Sequence, residues 1–224
     1  MTLLPKQLSY KSVYDANYFS GKKSFFYWLT GGYRDLARVF DGYAVDVRRH
    51  CTGGRLLDVG CAYGFLLRRF EGDFETFGVD VSEHAIEEAR KTAPGSQLQV
   101  HNVLEPLPFA DRSFDVVTIT DLLEHVPGTP GILAEVARVL RPGGILYITT
   151  PNRTPWRRVI FGVADLMEHH TNLLSYRQLG RYLDGAGFEV VERFTSLSAA
   201  IQGWRFSWCL GLEQTYIARR RAEA

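Results

Sequence analysis

The chain has 224 residues, of which 46% are apolar and 23% are charged, and its formal net charge is +1. This is the composition of a globular protein long enough to build a full hydrophobic core in one domain. A charge so close to neutral argues neither for nor against a nucleic-acid partner. The three widely spaced cysteines exclude a disulfide framework, and no apolar run is long enough to span a membrane.

Aromatic residues dominate the first fifty positions. Residues 10–28 contain Tyr10, Tyr14, Tyr18, Phe19, Phe25, Phe26, Tyr27 and Trp28. Apolar residues from Leu36 to Val47 then recur at helical spacing, which predicts a helix that ends before Gly53.

From Arg55 onward, predicted strands alternate with predicted helices. Strands are expected at 55–59, 74–80, 97–101, 114–120 and 145–150. Ser82 and Thr129 are predicted N-caps of the second and third of these helices. Glu87 is placed to pair with Lys91 one helical turn later. This alternation predicts parallel βαβ units with right-handed crossovers.

The last third of the chain changes pattern. Ser175 and Gln178 form a capping box for a helix that Gly187 ends. The segments 188–194 and 212–219 follow without a helix between them, which predicts an antiparallel strand pair. Residues 151–174 contain no clear strand, and a long insertion after a strand is more often functional than accidental.

The loop after the first strand carries the clearest chemical signal. Ligands of open α/β sheets bind beyond the carboxyl ends of the strands. Gly60 and Gly64 allow the backbone to approach a ligand closely, and Asp58 could receive an ammonium group. The loop is not a G-x-G-x-x-G dinucleotide fingerprint, because Ala62 occupies the middle position.

Asp80 ends the second predicted strand, about twenty residues after the first glycine of that loop. A carboxylate there can accept hydrogen bonds from both hydroxyls of a ribose, in NAD as well as in other nucleosides. The alternative is a structural carboxylate at the start of the helix that Ser82 caps.

Five ordered motifs resemble those of the class I S-adenosylmethionine (SAM)-dependent methyltransferases. They are the segments 58–64 (DVGCAYG), 78–82 (GVDVS), 102–109 (NVLEPLPF), 114–125 (FDVVTITDLLEH) and 140–144 (LRPGG). The resemblance implies an α/β, Rossmann-like, seven-stranded and mostly parallel sheet with helices on both faces and a C-terminal antiparallel hairpin. It also implies SAM as cofactor and S-adenosylhomocysteine as product. No metal is expected, because residues 168–170 (EHH) are not an H-E-x-x-H zinc motif and adjacent side chains diverge.

The resemblance assigns a cofactor site residue by residue. The predicted contacts are Asp58, Gly60, Cys61, Gly64, Asp80, Val81, Asn102, Val103, Thr120, Asp121 and Leu122. The region of Gly60 would approach the methionine part, and Thr120 to Leu122 would lie under the sulfonium. Ala62 replaces a common glycine, and Asn102 replaces a common aspartate on the adenine side, so adenine binding is expected to be weaker without being lost.

Histidines are the candidates for catalysis, because a hydroxyl acceptor needs a general base near neutral pH. The segment 170–175 (HTNLLS) resembles an element before the last helix of related methyltransferases. His170, helped by His169, is therefore predicted to be the base or to orient the acceptor. The alternative is that His170 only holds its loop in place, and His125 is expected to pack locally and shape the site.

Two aromatic segments are open to two interpretations. Residues 14–19 (YDANYF) resemble a lead-in that packs over the cofactor in some family members, but they are equally compatible with core packing. Residues 204–208 could wall the acceptor pocket or cover the edge of the sheet. We predict that residues 1–50 form an aromatic and helical cap over the active site, and that 51–224 form the SAM-binding domain.

The predicted function is methyl transfer to a small molecule, with a hydroxyl of a sugar or secondary metabolite as acceptor. The alternatives are an NAD(P)-dependent oxidoreductase and a non-catalytic SAM-binding protein. We expect a monomer or homodimer with neither nucleic-acid nor membrane partners. The cysteine usage and the absence of a signal-peptide pattern predict a cytoplasmic location.

Overall fold

A computed structural model describes residues 13–24, 27–28, 31–197, 205–206 and 209–222. The helices are α1 Ala16–Phe19, α2 Ala37–Arg48, α3 Phe65–Phe70, α4 Glu83–Thr92, α5 Thr129–Val139, α6 Pro155–Met167 and α7 Tyr176–Gly185. The strands are β1 Gly54–Val59, β2 Phe74–Asp80, β3 Gln97–Val100, β4 Phe114–Thr120, β5 Leu140–Pro151, β6 Phe188–Ser196, β7 Arg205–Phe206 and β8 Glu213–Arg220.

One sheet joins these strands in the order β3-β2-β1-β4-β5-β8-β6-β7. Strands β1 to β5 are parallel to one another, whereas β8 is antiparallel to both β5 and β6. The predicted fold, with its C-terminal antiparallel pair, is confirmed. The sheet has eight strands where seven were expected, because the two-residue β7 adds to the outer edge of β6.

Side chains alternate between the two faces of the sheet, and both faces are buried. Leu57 and Ile148 belong to a core cluster that includes residues of α5 and α7. Leu56 and Tyr147 belong to a second cluster, formed with residues of α2, α3 and α4. Helices therefore cover both faces, as expected for a mostly parallel sheet.

Several local details differ from the sequence prediction. Gly128, with φ +77°, is the N-cap of α5, and Thr129 is its first residue. Lys91 pairs with Glu88 at 2.5 Å, one residue later than the predicted partner. The LRPGG segment precedes the predicted fifth strand, 145–150, but lies within β5, where the register to β4 shifts.

The insertion after β5 contains a helix that the sequence analysis did not predict. Thr154 caps α6 by accepting a hydrogen bond from the Arg157 backbone N–H at 3.2 Å, and Pro155 is its first residue. The Thr-Pro pair was the available signal. Among the helices of the described residues, none has the length and apolar character needed to cross a membrane.

Candidate active site

A cavity of about 380 Å³ opens at the carboxyl ends of β1, β2 and β4. Ten of the eleven predicted cofactor residues line it, namely Asp58, Gly60, Cys61, Asp80, Val81, Asn102, Val103, Thr120, Asp121 and Leu122. Its wall also includes His125 and aromatic residues of the N-terminal segment. The loops that follow three adjacent strands therefore converge on one space, as expected next to the switch point between β1 and β4.

The loop after β1 lets the backbone approach that space. Gly60 has φ +82°, and a Cβ at this position would lie 3.2 Å from the Leu122 side chain. Ala62 also adopts a left-handed conformation, with φ +45°. Gly64 lies outside the cavity lining, where a Cβ would approach Ala89 at 3.2 Å. Gly64 thus allows α3 to pack closely against α4.

Asp58 and Asp80 place two carboxylates on the cavity wall. Asp58 is 1% exposed and accepts a hydrogen bond of 2.6 Å from the Thr118 hydroxyl. Burial raises the pKa of Asp58 to about 7, and the negative charge of Asp80 acts in the same direction, against the Thr118 hydrogen bond.

Asp80 organises its own surroundings as well as facing the cavity. Its Oδ2 accepts from the Ala62 N–H at 3.0 Å, and its Oδ1 accepts from the Ser82 N–H at 2.8 Å. Burial raises the pKa of Asp80, and these backbone hydrogen bonds oppose the shift. The structural role beside Ser82 and a ligand-binding role are therefore compatible, because each carboxylate oxygen has a second lone pair.

The predicted adenine side of the cavity follows β2 and β3. Val81 and Val103 line it with apolar surface, and His101 lies beside them. The Asn102 Oδ1 accepts a hydrogen bond of 3.1 Å from the Leu104 backbone N–H. This contact orients the Asn102 amide at the cavity wall.

The turn after β4 closes the floor of the cavity. Asp121 has φ +49°, and its backbone N–H donates to the Thr149 carbonyl at 3.0 Å. Thr120 and Leu122 flank it on the lining. This turn continues directly into Glu124 and His125.

The structure separates the two histidines that were predicted together. His169 follows the end of α6, with φ +58° and an exposed side chain. The His170 side chain is only 7% exposed, and its Nδ1 lies 2.8 Å from the Asp165 carboxylate. Neither lines the cavity, so the sequence-predicted base does not face it directly.

His125 occupies the position that was predicted for His170. Its ring lines the cavity and packs edge-on against the His170 ring, with centroids 4.8 Å apart. Burial and the neighbouring His170 and His169 lower the pKa of His125 to about 3. The LEH stretch was the signal for this residue, to which sequence reasoning gave local packing and shaping of the site.

The part-buried amide of Asn172 brings the two histidines together. The Asn172 Nδ2 donates 2.9 Å hydrogen bonds to the carbonyls of Leu123 and Val126 and to the Thr129 hydroxyl. These bonds fix the loop after α6 against the turn after β4. His170 is held behind His125 as a result.

Aromatic residues of the N-terminal segment form the opposite wall. Tyr14, Tyr18 and Phe19 line the cavity, and Tyr18 and Phe19 are both 5% exposed. Tyr18 and Ser24 donate hydrogen bonds to the Glu168 carboxylate at 3.3 and 2.8 Å. The segment is therefore anchored to the end of α6. Tyr10, Phe25, Phe26, Trp204 and Trp208, named in the sequence analysis, lie outside the described residues.

The fold, the five motifs and the converging loops agree with a comparison to known families. The model of a family described as a methyltransferase domain matches residues 34–193. The chain belongs to the class I SAM-dependent methyltransferases. For a member of this family, the dehydrogenase alternative is set aside.

Curated relatives of this methyltransferase include enzymes named ubiquinone biosynthesis O-methyltransferase. The one from Sinorhizobium medicae is 30% identical over 206 residues, which cover 84% of this chain and 81% of the relative. The one from Hahella chejuensis is 37% identical over 116 residues, which cover 50% of this chain and 49% of the relative. The chain thus spans about half the length of some of the curated relatives that it matches. In one further case, the match covers 54% of the relative's length.

Solved structures support the fold. A SAM-dependent methyltransferase from Thermotoga maritima superimposes with a TM-score of 0.65 and 21% identity, covering 81% of this chain and 89% of that protein. A similarity at this level of identity shows the fold alone.

Proposed function

We propose that this protein transfers the methyl group of SAM to an oxygen atom of a small-molecule acceptor bound in the cavity. One observation carries the proposal: Asp58 and Asp80, at the carboxyl ends of β1 and β2, and His125, beyond β4, line the same cavity. A cofactor held by the two carboxylates would thus share its space with an acceptor beside His125.

The residues of the cavity fit the cofactor that the family uses. Gly60 provides a cradle that a side chain would fill, Asp58 offers a carboxylate to an ammonium group, and Asp80 offers one to ribose hydroxyls. Val81 and Val103 supply apolar surface for a purine. When bound, SAM supplies a methyl group on a sulfonium, which is already a good leaving group.

The chain's contribution to catalysis would then be mainly positioning. The acceptor oxygen forms the new C–O bond as the C–S bond breaks, the bonding electron pair goes to sulfur, and the hydroxyl proton goes to water. The aromatic wall formed by Tyr14, Tyr18 and Phe19 limits the access of solvent to that reaction.

The lining favours an apolar acceptor that carries a hydroxyl, such as a phenol. Aromatic side chains dominate the wall facing His125, and sugars need many more polar partners than this wall offers. The names of the curated relatives are consistent with O-methylation. Within the sequence prediction of a sugar or secondary metabolite, this lining favours the secondary metabolite.

The N-terminal segment is part of this proposal. We infer that residues 1–50 cap the active site of a SAM-binding domain formed by 51–224. The support comes from the described part of the cap, where Tyr18 and Phe19 are buried and line the cavity at the same time.

Calorimetry with separate ligands tests the proposal. We expect saturable binding of SAM and S-adenosylhomocysteine and no binding of NAD or NADP. Labelled SAM offered with a panel of phenols and sugars should then give methylated phenols. Binding of NAD without SAM would refute the proposal, and SAM binding without transfer to any acceptor would favour the non-catalytic alternative.

The affinity for SAM is expected to fall in mild acid. Because the pKa of Asp58 is about 7 in the free protein, lowering the pH protonates this carboxyl and removes the negative charge that would receive the ammonium group. Between pH 7.5 and 6 the dissociation constant should rise by about tenfold, because protons compete with the ligand for one group.

The variant Asp58→Asn provides the control for this pH dependence. It should bind SAM weakly at pH 7.5 and respond less to acid. Titrations by calorimetry across this range measure the effect, and an equally steep response in the variant would assign the dependence to another group.

A further inference from the structure

Three side chains at the acceptor end of the cavity present metal-ligand atoms to one another. One donor atom each from Glu124, His125 and His170 lies within 4.8 Å of the other two. Glu124 and His125 belong to the turn after β4, and His170 belongs to the loop after α6. The tertiary structure thus brings the imidazole of His170 to the adjacent pair Glu124 and His125, which lies more than forty residues earlier in the sequence.

We propose that Glu124, His125 and His170 bind one divalent transition-metal ion at the wall of the cavity. This ligand set suits Zn²⁺ and chemically similar ions such as Co²⁺. The proposal revises the sequence expectation of no metal, which considered only the adjacent residues 168–170.

A buried nitrogen without a partner is the first independent observation. The Nδ1 atom of His125 is buried and has no hydrogen-bond partner in the structure, and the whole side chain is 10% exposed. An unsatisfied polar atom in a protein interior destabilises the folded state. Such an atom calls for an explanation, and a bound ion is one of the recognised ones.

The environment of His170 is the second observation. Its Nδ1 lies 2.8 Å from the Asp165 carboxylate, and Asp165 is held in turn by Arg157 at 2.8 Å. Because a carboxylate accepts hydrogen bonds, the His170 Nδ1 carries the proton that it donates to Asp165. The Nε2 of the same ring is left with a lone pair. A carboxylate behind a histidine is the arrangement that orients imidazole ligands in metal sites.

Glu124 supplies the negative charge of the site. It is 1% exposed, and its Oε2 accepts a 2.8 Å hydrogen bond from the Thr150 hydroxyl. Within the described part of the chain, no lysine or arginine forms an ion pair with it. Burying a carboxylate is costly unless a cation compensates for it.

The spacing of the donors is close to what an ion requires. Ligand atoms about 2.0–2.2 Å from one ion stand about 3–4 Å apart. Donors within 4.8 Å of one another need to contract by only about 1 Å, which side-chain rotation can supply. No backbone rearrangement is required.

The site's role follows from its place in the cavity and rests on the proposed function. His125 lines the cavity, so an ion bound to it would lie beside the acceptor. A nearby divalent cation lowers the pKa of a hydroxyl, and this favours the more nucleophilic alkoxide or phenolate form. The cluster would thus take the place of the general base predicted from sequence.

Titration of the chelator-treated full chain with Co²⁺ tests the site. We expect one Co²⁺ per chain and visible absorption bands from nitrogen and oxygen coordination. Glu124→Gln and His170→Gln should weaken binding by more than about tenfold, whereas His50→Gln, a histidine remote from the cavity, should not. Absence of saturable one-to-one binding, or unchanged affinity in His170→Gln, would overturn the proposal.

A second variant guards against loss of folding. Asp165→Asn leaves all three ligands in place and should weaken Co²⁺ binding by about 10–100-fold, and wild-type affinity in a folded Asp165→Asn protein would count against the site. SAM binding, measured on the same samples, separates the two proposals. Co²⁺ binding without SAM binding would uphold the metal site and refute the proposed function. Methyl transfer by a chain that binds no metal would uphold the proposed function and refute the metal site.

Discussion

Replacing His170 with alanine should reduce kcat by at least about 100-fold, with the dissociation constant of SAM nearly unchanged. The expected loss exceeds the 10–100-fold effect of removing a residue that merely supports a metal ligand, because His170 itself is the proposed ligand. The expected loss of kcat also lies within the 10²–10⁴-fold range typical of a lost general base. The size of the effect is therefore similar whether His170 binds a metal ion or acts as a base. Steady-state kinetics and calorimetry measure the two quantities separately.

His169 is the natural comparison, because it adjoins His170 but has an exposed side chain. His169→Ala should cause a much smaller loss of kcat. Equal losses in both variants would indicate that disruption of the loop is the common cause. If His170→Ala keeps a normal kcat but melts at a lower temperature, His170 serves only to hold the loop.

Replacing Asp80 with alanine should weaken SAM binding by about 1–3 kcal/mol, or roughly ten- to a hundredfold. The variant removes a carboxylate that faces the cavity and would accept hydrogen bonds from the ribose. It also frees the backbone N–H groups of Ala62 and Ser82, which orient the first loop and the start of α4. Both effects reduce affinity, and calorimetry reports their sum.

Ser82→Ala separates the structural contribution of Asp80 from the binding contribution. The Ser82 hydroxyl caps α4 by accepting from the Ala85 N–H at 3.2 Å. Its loss should lower the free energy of unfolding by about 1 kcal/mol but leave SAM affinity close to that of the wild type. An unchanged SAM affinity in Asp80→Ala would mean that Asp80 acts only at the start of this helix.

The cavity lining at the carboxyl ends of β1 and β2 could be predicted because its signals are local. A residue at the carboxyl end of a strand, such as Asp58 or Asp80, lies at the edge of the sheet where ligands bind. This placement does not depend on distant parts of the chain. Gly64 was assigned to the same site by its spacing, but only the structure shows that it packs against Ala89. The spacing between Gly60 and Gly64 does not distinguish a glycine that contacts a ligand from one that contacts a neighbouring helix.

The insertion after β5 shows where local signals failed. The position of this insertion after a strand predicted a functional segment. The sequence analysis missed α6 because the apolar residues of this helix are exposed and do not form a buried stripe. Val159 is 85% exposed, Val163 is 75% exposed and Leu166 is 78% exposed. Periodicity identifies helices through their buried face, and this helix buries little of its apolar surface.

By itself, the sequence determined the family, the alternation of strands and helices, and the residues that end each strand at the cofactor side. Those features depend on hydrophobic period and on turn residues, which act over a few positions. Only the tertiary structure decided which histidine faces the cavity. That outcome depends on hydrogen bonds from Asn172 to a turn more than forty residues earlier in the chain. Such contacts form only when the sheet has brought both loops to the same edge, so no local pattern encodes the meeting of Glu124, His125 and His170.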